Sequence, residues 1–306
     1  MKKLLSFLCL LLLLGLCQQA SAGSYLETFE DEVTAFSLDN GLRFLVIERH
    51  QAPVASFVTF VNVGSVDEPR GNTGIAHLFE HLAFKGTPNI GTTNWEKEQK
   101  ILEKIDAAYT KWLRAKYIQR ADEAKLTALR DRFEELQKEA QQYVVPNAFP
   151  KIIERHGGTD LNAATGKDFT MYFCSLPSNK VELWFSLESD RLMQPVFREF
   201  YTEKEVVLEE RRMRVDSDPV GRMIEELQAL AYLAHPYRNP TIGWSTDIIA
   251  TTRADLRNFY QQYYRPRNLT VAVAGDVDPK RIEKLARTYF GPMAEREFSP
   301  RIITRE

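Results

Sequence analysis

Hydrophobic and polar residues alternate along the first part of this chain in a way that is typical of β-strands. Two short runs rich in β-branched and aromatic residues, 33–38 and 42–47, flank Asn40-Gly41. Asn-Gly is the dipeptide that most favours a two-residue hairpin turn, in which both turn positions take positive φ. The next run, 54–63, is apolar on both faces, which predicts a strand in the centre of a sheet.

The pattern becomes helical between residues 95 and 143. Apolar residues recur there at intervals of three and four, as in Leu102, Ile105 and Tyr109, while charged residues occupy the other positions. This spacing predicts two long amphipathic helices that fold on each other near 119–124. We interpret the pair as a structural hairpin, with a substrate-gating arm or a partner-docking surface as the alternative.

The remainder of the chain combines another hairpin with several helices. Two β-rich runs, 159–165 and 168–175, are joined at Gly166-Lys167. Helical spacing and one apolar strand pattern then follow in the order 180–192, 203–215, 220–233, 253–263, 269–274 (the strand) and 279–289. Because the strands come as hairpins instead of alternating with helices, the sequence predicts an α+β fold. We expect an antiparallel-rich mixed sheet covered by helices, with the helical hairpin inserted at about 95–145.

One short segment carries the chemistry that stands out. His77 and His81 are four residues apart, so on a helix their imidazoles leave the same face. Two such imidazoles suit zinc, and Glu80 stands beside them where a general base would take a proton from water. Histidines at this spacing also occur for purely structural reasons. The added glutamate and the apolar residues on the other faces favour a metal site, and the order His-x-x-Glu-His is the inverzincin signature.

The residues around this motif resemble a known family. Segments 63–69 (VGSVDEP), 74–77 (GIAH), 84–87 (FKGT), 157–163 (GGTDLNA) and 168–172 (DFTMY) are similar to the pitrilysin/insulinase zinc metallopeptidases. Within that family the likeness is to the bacterial members related to mitochondrial processing peptidase. It runs from about residue 36 to about residue 292, and the helical pair is an insertion relative to better-known members.

The resemblance implies roles for residues far from the histidine motif. Glu210 matches the third zinc ligand of the family, and Glu203, one heptad earlier, matches an acid that supports the site by orienting a ligating imidazole. Glu209 is turned about 100° away on the same helix. Asn162 and Ala163 match edge-strand residues that hold an extended peptide substrate. The other histidines are too scattered for spacing alone to select one as a ligand.

These residues predict a zinc-dependent endopeptidase that cleaves peptides or unfolded proteins. Glu80 would act as the general base, and His77, His81 and Glu210 would hold one Zn²⁺. The resemblance also implies a second homologous half that supplies an Arg/Tyr pair to the substrate. This chain contains one half, so the second would lie on the same polypeptide or on a separate subunit. The alternative is a non-catalytic binding or assembly subunit with a vestigial zinc site.

The N-terminus has the pattern of a secretory signal peptide. Lys2 and Lys3 precede an apolar run at 4–17, and Ala20-Ser21-Ala22 ends it. We expect cleavage after Ala22 and export to the periplasm, with a lipoprotein anchored at Cys17 as the alternative. No later run is apolar and long enough to cross a membrane.

The amino-acid composition limits which disulfides the protein can form and which classes of partner it can bind. Removal of residues 1–22 leaves Cys174 as the only cysteine, so no intramolecular disulfide could form. Cys174 lies in an apolar strand pattern and is expected to be buried, with zinc ligation as the alternative. The net charge of −2 becomes −4 when Lys2 and Lys3 are removed (38 basic against 42 acidic residues). This mild acidity, without a basic stripe, argues against a nucleic-acid partner.

Overall fold

The computed structural model describes residues 30–118, 122–297 and Thr304. The predicted signal peptide and Cys17 lie outside these ranges. The core of the fold is a six-stranded sheet with the order β1-β2-β6-β3-β5-β4. Its strands are β1 (Val33–Ser37), β2 (Arg43–Glu48), β3 (Val54–Val61), β4 (Thr159–Thr165), β5 (Thr170–Pro177) and β6 (Leu269–Gly275). The β2–β6 pair is parallel and the other four pairs are antiparallel, so the predicted antiparallel-rich mixed sheet is confirmed.

Ten α-helices are present in the described residues. They are α1 (Ile75–Leu82), α2 (Trp95–Lys116), α3 (Glu123–Gln141), α4 (Ala148–Arg155), α5 (Val181–Met193), α6 (Phe200–Arg211), α7 (Pro219–Ala231), α8 (Ser245–Ala250), α9 (Arg253–Tyr263) and α10 (Pro279–Phe290). A π-helical turn, Arg212–Asp216, continues α6. The short helix α8 has too few residues to show a period, and sequence analysis did not predict it. No helix of the described part has both the length and the apolar character that a membrane span requires.

The first hairpin forms as predicted, but its turn differs from the expected one. Gly41 has a φ of +90°, whereas Asn40 is not among the residues with positive φ. The Asn40 side-chain amide instead donates hydrogen bonds to the carbonyls of Phe290 (2.8 Å) and Met293 (3.0 Å). Asn40 therefore fastens this turn to the end of α10, and only the glycine supplies the unusual backbone conformation.

The strand β3 lies in the middle of the sheet, between β6 and β5, as its apolar sequence predicted. Its two faces differ. Phe57 is buried and stacks on Trp184 of α5 with ring centroids 4.4 Å apart. Phe60, on the opposite face, keeps 38% of its surface exposed. An apolar run on both faces therefore predicted the position of the strand correctly, although the helices bury only one of its faces.

The predicted helical hairpin is formed by α2 and α3, and its base is fixed to the rest of the fold. Asn94 and Asp122 cap the two helices with their side chains. Glu98 of α2 forms a fully buried ion pair with Arg198, which precedes α6. Arg198 also donates to backbone carbonyls in the loop after α1, including those of Lys85 and Ile90. The helical hairpin is thus linked through Arg198 to the loop that leads away from the histidine helix.

Candidate metal centre

The helix α1 is held at its N-terminus by contacts from outside the helix. Gly74 precedes α1 with a φ of +87°, and a Cβ there would lie 2.6 Å from the carbonyl oxygen of Ile242. The buried carboxylate of Glu68 accepts hydrogen bonds from the backbone N–H groups of Gly74 (2.9 Å) and Ala76 (3.0 Å). These N–H groups have no partner within the helix, so the oxygens of Glu68 satisfy them.

The structure brings together the two histidines and Glu210, which lie on different helices. The His77 and His81 rings are 4.8 Å apart, and their Nε2 atoms lie 3.7 Å and 3.6 Å from Glu210 Oε2. One ligand atom from each residue lies within 4.8 Å of the others. Glu209 is exposed and forms an ion pair with Arg212. This is consistent with its position about 100° around the helix from Glu210.

This arrangement fits a zinc ion by the chemistry of its donors. Bonds of about 2.0–2.2 Å in a tetrahedron place neighbouring ligand atoms roughly 3.4 Å apart, close to the observed separations. Burial, and then the charge of His81, lower the pKa of His77 to about 4, so this imidazole is neutral and able to bind a metal.

Glu203 contacts the second histidine, His81, on the side of the ring that faces away from Glu210. Its Oε2 lies 3.3 Å from His81 Nδ1, which leaves Nε2 to face Glu210. Burial lowers the pKa of His81, but hydrogen bonds to Glu203 and Glu210 outweigh it and raise that pKa to about 9. Lys85 forms ion pairs with Glu203 (2.6 Å) and Glu199 (3.3 Å), so it holds the Glu203 carboxylate in place.

Glu80 stands outside the group of three potential ligands. Its carboxylate accepts a hydrogen bond from the Thr165 hydroxyl at the end of β4. Burial is the main influence on this carboxyl and raises its pKa above the usual range, although the Thr165 hydrogen bond opposes the shift. A carboxylate with a raised pKa is a stronger base, which suits proton transfer near neutral pH.

Three residues that contact this centre were not predicted from the sequence. Arg214 Nη1 lies 2.7 Å from Glu210 Oε1, which leaves Oε2 to face the histidines. Lys85 and Thr165 contact Glu203 and Glu80 as described. Lysine four residues after His81 could have been noticed, because on a continued helix it would lie on the same face. Arg214, four residues after Glu210 on the continued helix, could have been noticed in the same way, whereas the contact of Thr165 depends on tertiary packing.

The residues predicted to hold substrate lie on the outermost strand of the sheet. β4 is an edge strand, and Ala163 pairs with Tyr172 of β5. Asn162 is exposed, and its side-chain oxygen accepts a hydrogen bond from the Ala163 N–H (2.9 Å). Thr165, two residues further and therefore on the same face as Ala163, contacts Glu80. The edge strand consequently passes beside the candidate base.

Cys174 lies apart from the centre. It is buried on β5, and burial raises the pKa of its thiol to about 12. The group of potential ligands found in the described residues does not include it.

Two family models match the chain along most of its length. The model described as Insulinase (Peptidase family M16) matches residues 43–141 and 138–244, and the one described as Peptidase M16 inactive domain matches residues 250–304. The chain belongs to the insulinase family, peptidase family M16. This membership confirms the family resemblance seen in the sequence.

Several named relatives of this M16 chain are zinc proteases. The zinc protease PqqE of Helicobacter pylori is 29% identical over 91% of this chain and 50% of its own length. The crystal structure of a protease from Helicobacter pylori matches 89% of this chain with a TM-score of 0.67, 26% identity and 52% of its own length covered. This chain therefore spans about half the length of these relatives. Their names support a peptidase-like function and suggest zinc as the metal.

A more distant structure shares the fold. The periplasmic protease PqqL from Escherichia coli matches 89% of this chain with a TM-score of 0.64 and 21% identity, and only 25% of that chain is covered. The α+β architecture described above is therefore one that larger M16 proteases also contain.

Proposed function

We propose that this chain is the catalytic half of a zinc-dependent endopeptidase that hydrolyses peptides or unfolded proteins. The observation that carries the proposal is the convergence of His77 Nε2, His81 Nε2 and Glu210 Oε2, with Glu80 beside them. Two nitrogen ligands, one oxygen ligand and a nearby unliganded carboxylate make up the donor set of a hydrolytic zinc site.

His77, His81 and Glu210 would hold the zinc ion, and Glu203 would keep the His81 imidazole oriented through Nδ1. Bound zinc would supply Lewis acidity for the activation of water and the polarisation of a carbonyl group. Glu80 accepts a proton from the attacking water as it adds to the scissile carbonyl carbon. Glu80 then returns that proton to the leaving amine as the C–N bond breaks. Thr165 fixes the carboxylate for both transfers.

The edge strand β4 would bind the substrate in an extended conformation. An unpaired strand edge offers main-chain hydrogen bonds to peptides of many sequences. The Ala163 N–H would donate to a substrate carbonyl once the Asn162 side chain, which accepts its hydrogen bond here, swings aside. Because Thr165 of the same strand contacts Glu80, a peptide on this edge would pass the candidate base.

We propose that the chain works with a second homologous half, which would supply the Arg/Tyr pair that the family resemblance implies. The support is that this chain spans about half of PqqE. The mature chain, residues 23–306, would then be the N-terminal catalytic half with the helical hairpin inserted in it. A location in the periplasm is supported by the description of PqqL as a periplasmic protease.

The test separates metal binding from proton transfer. Glu80→Gln keeps the shape of the side chain and the three ligands, so we expect the full zinc content to remain. We also expect cleavage of an unstructured fluorogenic peptide to fall at least a hundredfold. Glu209→Gln, one residue before the third ligand but facing solvent, is the matched control and should retain both properties. Normal turnover by Glu80→Gln would refute the assigned role. Zinc-loaded wild-type protein that cleaves nothing with its partner half present would favour the binding-subunit alternative.

A further inference from the structure

The helix α7 presents its apolar side to solvent. Five large apolar side chains share this side, with 47–78% of their surfaces exposed, and we call them the α7 outer face: Val220, Met223, Ile224, Leu227 and Leu230. Their spacing of three and four residues is that of one continuous helical stripe. In a domain that is complete by itself, such a stripe faces the core.

Polar contacts hold α7 in this orientation. Glu225, on its inner side, forms a two-pronged ion pair with Arg211 at the end of α6 (2.7 and 2.9 Å). A Cβ on Gly221 would lie 2.0 Å from the Arg214 carbonyl oxygen, so only glycine allows the helix to approach this closely. Asp218 caps the helix by accepting hydrogen bonds from two backbone N–H groups. The apolar stripe therefore faces solvent, because the inner side of α7 is polar and packs closely against the chain at Arg214.

The size and charge of this surface indicate a lasting partner. The α7 outer face exposes on the order of 500 Å² of side chain, at the upper end of what monomers show. An open groove of about 580 Å³ runs along it. Three charged residues line this groove: Arg222 and Glu226 lie 3.9 Å apart with opposite charges, and Asp216 lies 3.5 Å from Arg211, so each charge has a partner of opposite sign. Apolar, uncharged patches are typical of permanent interfaces, whereas transient ones are more polar.

We propose that the α7 outer face is the docking surface for the second insulinase-family half. This inference rests on the proposed function and assigns a place to the partner. The chain spans about half of its relatives, so those proteins contain an equally large further part that is available to cover this face. α7 begins just after the π-helical turn that follows Glu210, so a partner seated there borders the metal centre. A peptide substrate would leave this face bare between turnovers, and a permanent partner would not.

Site-specific photocross-linking in the cells that produce the protein tests the inference. Leu227 is replaced by a benzophenone amino acid, and the cross-linked peptides are identified by mass spectrometry. Ile118, two residues after the end of α2, is the matched control position because it is an apolar residue with a similar exposure of 61%. We expect position 227 to cross-link to a second insulinase-family domain, on the same or another polypeptide, and position 118 not to do so.

Any other result at position 227 overturns the proposal: a cross-link to a second copy of this domain, to a protein outside the family, or to nothing. A second variant measures the strength of the contact. Leu227→Arg combined with Leu230→Arg should reduce the co-purifying second half at least tenfold, whereas Ile118→Arg should not change it. Zinc content should stay at the wild-type level in both variants. Because neither measurement needs turnover, failure here can be distinguished from failure of the peptidase assignment.

Discussion

Glu203 offers a sharp test of the candidate centre, because it contacts the candidate ligand His81 without belonging to the group of three potential ligands. Its carboxylate lies 3.3 Å from His81 Nδ1. Glu203→Gln keeps the side-chain length but removes the charge that stabilises the histidine. Loss of such a supporting partner commonly weakens metal binding about 10–100-fold, or about 1.4–2.7 kcal/mol.

The effect should depend on pH, because Glu203 also helps His81 to hold a proton. Zinc binds the neutral imidazole, whereas Glu203 and Glu210 raise the pKa of His81 to about 9 in the metal-free protein. At pH 7, two units below that pKa, the proton competes with zinc by a factor of about a hundred. Glu203→Gln lowers this pKa and thereby relieves the competition. At pH 7, weaker competition from the proton offsets part of the zinc affinity that is lost with Glu203. At pH 9 little proton competition remains, so the loss of affinity is not offset.

Competition with a chromophoric zinc chelator at pH 7 and pH 9 measures both effects. We expect a loss of affinity of about 10–100-fold at pH 9 and a smaller loss at pH 7. Glu205→Gln, on the exposed side of the same helix, is the control and should change neither value. A loss below threefold at pH 9 would show that Glu203 does not support the site. An equal or larger loss at pH 7 would show that it does not raise the pKa of His81.

Two further substitutions test the surroundings of the centre. Thr165→Val removes the hydrogen bond that favours the ionised form of Glu80, so the pKa of Glu80 should rise further. Because the base must be deprotonated, the acidic limb of the pH profile of kcat/KM should move to higher pH at unchanged zinc content, and an unmoved or lowered limb would contradict this role. Arg198→Met leaves the buried carboxylate of Glu98 unpaired, so the free energy of unfolding in urea should fall by about 3–5 kcal/mol. Arg132→Met, which breaks an exposed pair with Glu135, should cost less than about 1 kcal/mol. Similar values for the two arginine variants would be inconsistent with this reasoning.

The sequence by itself determined the local structure of this protein. A spacing of four residues placed His77 and His81 on one helical face, and the periodicity between 95 and 143 predicted the α2–α3 hairpin. Hairpin signals and the apolar run of β3 were enough to predict the α+β class and a central strand. These features were predictable because each depends on residues that are neighbours along the chain, where backbone geometry alone fixes which side chains share a face.

Tertiary structure alone decided which of these faces meet. Spacing along the chain could not bring Glu210 to the histidines; only the family resemblance suggested it. Thr165 reaches Glu80 through packing of separate elements, whereas Arg214 lies four residues after Glu210 on the same helical segment. The parallel pairing of β2 with β6 joins strands more than 200 residues apart. For α7 the spacing of apolar residues predicted a helix. The ion pair on its polar side holds that side against the fold, so the apolar stripe faces solvent. The physical reason is the same in each case: periodicity encodes an apolar or charged face, and the partner of that face depends on contacts between distant residues.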